Sequence, residues 1–135
     1  MFTKNKYTIY FYLILFFIVF LLLITANYSL SISYKEALNL YYNSSILSII
    51  TNSFTYIFGH NDLALRAPFI IFYTLSVILM FLITKDYFKY EKDRFISVLI
   101  FMSLPGFLSA SLVVNTAIIV TFFTLLYIYF YQKHK

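Results

Sequence analysis

Lys85-Asp86-Tyr87-Phe88-Lys89-Tyr90-Glu91-Lys92-Asp93-Arg94 is the stretch on which the fold of this chain turns. It is the densest run of charge in the sequence, and uncharged stretches flank it on both sides, Ala67 to Thr84 before it and Phe95 to Tyr131 after it. An apolar helix of about 20 residues crosses a hydrocarbon core about 30 Å thick. Cationic loops are retained on the cytoplasmic side of a membrane. The charged stretch is therefore read as a cytoplasmic loop, and the crossings are threaded outward from it.

Working backward, Ala67 to Thr84 is a span that starts at the outer face just after Arg66, with Pro68 placed in its first turn, where a missing amide donor costs little. Further back, Ile9 to Ala26 is apolar and preceded by Lys4 and Lys6. Its Leu, Ile, Phe and Val residues favour the bilayer by about 5 kcal/mol. The run is long for the core of a signal peptide, and Ile24 is a poor residue two places before Ala26, so an uncleaved anchor is expected. Working forward, Phe95 to Tyr131 as one helix would measure about 55 Å, too long for a single crossing. Pro105-Gly106 and the run from Ser109 to Asn115 are its weak points, and a turn near Asn115 divides it into two spans. Lys133 and Lys135 then return to the side of Arg94, leaving only Lys35 and Arg66 for the opposite face.

The expected fold is all-α and integral to the membrane, a single transmembrane region over 1–135. It has four spans, at about 9–26, 67–84, 95–112 and 115–132, with both termini cytoplasmic and an outer loop over 27–66. Composition agrees, since 62% hydrophobic and 11% charged residues leave too little polar surface for a water-soluble core. The mean hydropathy is +0.85. The net charge of +5 is spread over span-flanking loops with no nucleic-acid motif, so the partner it fits is the headgroup layer of the bilayer and not nucleic acid. With no Cys, thiolate metal sites and thiol nucleophiles are excluded, and no paired His suggests a metal site, so neither a metal nor a cofactor is expected.

Ala37 to Asn61 carries no charge but is too polar for a plain span. Asn39, Asn43, Ser48, Thr51, Asn52 and Thr55 interleave with Leu40, Leu47, Ile50, Phe54 and Ile57 at roughly helical period. Counting it as a crossing would also put the Lys85 to Arg94 cluster outside. It reads as one or two amphipathic helices in the outer interface, broken near Asn43-Ser44-Ser45.

The order of features in this loop is an acidic residue in Lys35-Glu36-Ala37, an amphipathic stretch ending in Phe58-Gly59, and Leu65-Arg66 opening the next span. It resembles the N-terminal region of the GT-C superfamily of membrane glycosyltransferases, most of all the protein mannosyltransferases and lipid A aminoarabinose transferases. The resemblance implies sugar transfer from a polyprenyl-phosphate carrier on the outer face of a bacterial-type inner membrane. It also implies a catalytic Asp in an Asp-Glu-Ala-like motif; Lys35 stands in the place of that Asp and Glu36 is retained. Leu104-Pro105-Gly106 to Ser111 matches the approach to a second acidic residue, whose place Asn115 takes. The prolines often paired between the loop helices of the family are replaced by Ser44-Ser45.

Transfer from a phosphate carrier needs a base or a charge-positioning carboxylate at the acceptor and cations at the departing phosphate. Glu36 is the candidate carboxylate, and Lys35 and Arg66 are the candidate substrate-binding cations. Each has a plainer reading: Glu36 solvated, Lys35 set against headgroups, Arg66 in a local ion pair with Asp62 one turn away. His60 reads as a turn residue and Asn115 as a helix cap. The resemblance covers the opening part of enzymes several times longer, so the isolated chain is expected to be inactive unless completed by further chain or a partner. The rival expectation is a small non-catalytic membrane subunit that packs against a larger membrane partner.

Overall fold

A computed structural model describes residues 6–28, 38 and 45–135. Among the described residues the secondary structure is helical, with no strand. Lys6–Tyr28 forms α1, with no Pro or Gly and apolar side chains all round, so the helix satisfies its own backbone and exposes hydrocarbon to hydrocarbon. Phe11, Leu15, Leu22 and Ala26 share the face turned to the bundle, and Phe16 and Phe20 point away from it. At about 1.5 Å per residue the helix is long enough to cross a bilayer core.

Ile46–Phe58 forms α2. Ser45 caps it, its side chain accepting from the Ser48 amide at 3.3 Å, so the start of α2 at Ile46 has a local cause. The face turned to the bundle is the polar one: Ser48, Thr51 and Thr55 are buried. Thr51 Oγ1 donates to the Leu47 carbonyl at 2.9 Å and Thr55 Oγ1 to the Thr51 carbonyl at 3.0 Å. The hydroxyls are thereby satisfied within their own helix, and their small size admits close approach to the next one. Ile46, Ile49, Ile57 and Tyr56, the last 91% exposed, project outward. A polar stripe facing protein and an apolar stripe facing out suit a helix surrounded by lipid chains.

Gly59, at φ 87°, closes α2 with its amide on the Thr55 carbonyl, a left-handed position that favours glycine. The chain then enters α3, Asp62–Tyr87, earlier than the expected start at 67, so Arg66 and Pro68 both lie inside the helix. Asn61 precedes it in extended backbone, and the Asp62 carboxylate in the first turn complements the positive helix end, which favours the earlier start. Glu91–Met102 (α4) and Pro105–Leu112 (α5) form a bent pair at 53°, broken where Pro105 opens the second helix. Thr116–His134 forms α6, and the Asn115 side chain accepts from the Ala117 amide at 3.0 Å. Asn115 therefore caps α6.

The long helix α3 is central, packing against α1, α2, α4, α5 and α6. Lipid supplies no hydrophobic drive for such packing, so shape and interhelical hydrogen bonds carry it. Polar ties are set along α3 at different depths. Arg66 Nη1 donates to the Ala26 carbonyl of α1 at 3.3 Å. Tyr73 Oη donates to the Met102 carbonyl of α4 at 2.7 Å. Arg94 of α4 donates from Nε at 2.9 Å and Nη2 at 2.6 Å to the Phe81 carbonyl. The Arg94 guanidinium also lies 3.7 Å over the Phe81 ring, which stacks on Phe11 of α1 at 4.1 Å. Cation, ring and ring thus join α4, α3 and α1.

The ends of the bundle are unlike in charge. Tyr7 meets Phe95, and Lys85 and Lys133 line a common cavity, so Lys6, the Lys85 to Arg94 stretch and Lys133 lie together. Arg66, beside Ala26, is at the other end. Among the described residues, the helices long and apolar enough to cross a membrane are α1, α3 and α6, or four spans if the bent pair α4–α5 counts as one. Lys6 and Lys133 lie at the same end, so α4 and α5 together run the length of the bundle.

Candidate functional site at the Arg66 end

The end of α1 at Ala26 leads into residues 29–44, which carry Lys35 and Glu36. Both candidates, with the motif Lys35-Glu36-Ala37, lie outside the described residues. Arg66 is described: it is 2% exposed and packed beneath the exit of α1. A guanidinium on the last carbonyls of a helix complements the negative helix end. The bond to Ala26 therefore ties the last turns of α1 to the start of α3.

Next to this tie is an apolar groove of ≈ 300 Å³ between α1, α2 and α3, lined by Leu23, Phe54, Phe58, Asn61, Ala64 and Ile71 among others. Its walls are aliphatic and aromatic, and Asn61 supplies a polar group at the α2–α3 turn. His60 is exposed in that turn. No cluster of three or more potential metal ligands occurs among the described residues.

Two residues of consequence escape a reading of sequence alone. Tyr73 is a hydroxyl in mid-span, buried and closing the gap that the break at Pro105 opens; in an unbroken helix the Met102 carbonyl would accept from the Gly106 amide. The clue was present as a mid-span Tyr together with a helix-breaking Pro-Gly in a neighbouring span. Arg94 reads in sequence as one more cytoplasmic cation, whereas its guanidinium reaches back to Phe81 and belongs to the packing.

The fold and its charge asymmetry define an all-α integral membrane protein with buried polar ties between spans. Residues 45–134, more than half of the chain, match the family model described as dolichyl-phosphate-mannose-protein mannosyltransferase, and the chain belongs to that family of membrane glycosyltransferases. No curated protein matches the chain, and no solved structure matches it. The match takes in α2 through α6 and begins after Lys35 and Glu36.

Proposed function

We propose that this chain forms the membrane unit of a glycosyltransferase that takes its sugar from a polyprenyl-phosphate carrier, with the reacting groups at the Arg66 end. The single observation that carries the reading is the family match over 45–134. In this reading the Arg66 end faces the outside of a bacterial-type inner membrane, and the lysine-rich end faces the cytoplasm, as cation retention favours.

Glu36 is the carboxylate that takes the proton of an acceptor hydroxyl as its oxygen attacks the anomeric carbon. The bond from that carbon to the phosphate oxygen breaks, and the polyprenyl phosphate departs with the negative charge. Lys35 is the cation proposed to hold that charge. Arg66 is the second cation proposed for the substrate phosphate; its burial beneath α1 supports a positioning role, in which it sets the Lys35-Glu36 stretch over the carrier. Further chain or a larger membrane partner completes the enclosure of the donor.

The test is transfer of radiolabelled sugar from polyprenyl phosphate by purified protein in lipid. Glu36→Gln is expected to lower transfer by roughly 100-fold or more, the scale of a lost general base. Equal transfer by both proteins would remove Glu36 from the mechanism. A second reading, a non-catalytic subunit, is favoured by Lys35 in the place where the resembled enzymes carry Asp. Its outcome is no transfer by the parent protein and a larger membrane protein recovered with it.

A further inference from the structure

At the end of the bundle away from Arg66, the last turns of α3 and α6 lie side by side. Between them is a cavity of ≈ 250 Å³ lined by Leu82, Lys85, Asp86, Tyr129 and Lys133. Lys85 belongs to the last turn of α3 and Lys133 to the last turn of α6. By liquid volume it holds about eight waters, the scale of a headgroup and not of a whole lipid.

The chemistry of the wall is more specific than a basic flank. Cations from two helices face one space, a carboxylate adjoins one of them, and Leu82 and the Tyr129 ring supply apolar surface on the membrane side. Both helices are long and apolar enough to cross a bilayer, so their last turns fall where phospholipid headgroups sit. Two ammonium groups lining one cavity complement the charge of a phosphate diester. Asp86 would repel a purely anionic headgroup but complements one that also carries a primary amine.

We propose that this cavity seats the headgroup of an aminophospholipid of the ethanolamine type, its phosphate between Lys85 and Lys133 and its ammonium on Asp86. The site is distinct from the Arg66 end and does not depend on the reading of that end. A bound lipid there would bridge the ends of α3 and α6 and hold the spans in register.

The experiment is native mass spectrometry of the full chain in detergent, titrated with dioleoyl phosphatidylethanolamine, dioleoyl phosphatidylglycerol or inorganic phosphate. Retention of the ethanolamine lipid above the glycerol lipid is expected, with inorganic phosphate failing to displace it. The Lys85→Gln, Lys133→Gln double variant should lose roughly fivefold or more in retention, the scale of one to two exposed ion pairs. Asp86→Asn should keep the phosphate contacts and abolish the preference for ethanolamine over glycerol. These side chains are exposed, so circular dichroism should show parent-like helicity in the variants. Preference for the glycerol lipid in the parent, displacement by free phosphate, or a preference unchanged in Asp86→Asn would each overturn the proposal.

Discussion

At the residue scale, Tyr73 and Arg94 show how polar side chains are accommodated in a chain so apolar. Tyr73→Phe removes only the hydroxyl that meets Met102 and strands a carbonyl in the bundle interior. The expected cost is about 1 kcal/mol, the value of one buried interhelical hydrogen bond in lipid, read as a lower midpoint in denaturant titration in micelles. An unchanged midpoint would mean that water or another donor already serves Met102. Arg94→Lys keeps the charge and loses both the paired Nε and Nη2 donors and the flat contact with Phe81. A comparable destabilisation of about 1 kcal/mol is expected in the same titration, because lysine cannot reproduce a planar fork. Composition singles out neither residue, since Tyr73 is one of fourteen Tyr and Arg94 one of several flanking cations; only the mid-span place of Tyr73 beside a Pro-Gly break hints at its tie.

At the scale of the element, α2 carries the most information. Its amphipathic period and the capping serine at its start were legible, since alternating polar and apolar residues and a serine cap act locally. Which face turns inward was not, because that depends on the neighbour: against α3 the small hydroxyl residues permit contact, and bulky Ile49 and Tyr56 do not enter it. Thr51→Leu is therefore expected to overpack the α2–α3 contact and cost about 1–3 kcal/mol. Tyr56→Leu, on the outward face, should stay within about 0.5 kcal/mol of the parent. Equal effects of the two would mean that α2 does not rest on its serine and threonine stripe. For α3 the reverse holds: its apolar body was plain from composition, but its start at Asp62 lies one turn before the charge-free run, which puts Arg66 inside the helix instead of ahead of it.

At the scale of the whole molecule, the membrane class and the helical architecture were readable from charge spacing, because lipid forces these patterns on any chain that crosses it; the family was legible only as a resemblance in the order of features around the 27–66 loop. The candidate chemistry was less so. Lys35 and Glu36 are assigned by resemblance, and their place in space lies outside the described residues. The account rests on the Arg66 end and the Lys85 to Arg94 end facing opposite sides of a membrane, with α4 and α5 together making one crossing. The absence of Cys leaves a silent background for thiol labelling. The direct measurement is modification of His60→Cys, Tyr90→Cys and Lys135→Cys by an impermeant maleimide in sealed, oriented vesicles. Positions 90 and 135 are expected to label from one side and position 60 only from the other. Labelling of 60 and 90 from the same side would contradict the crossing of α3, and labelling of 60 and 135 from the same side would make the α4–α5 pair a re-entrant loop and undo the four-span arrangement.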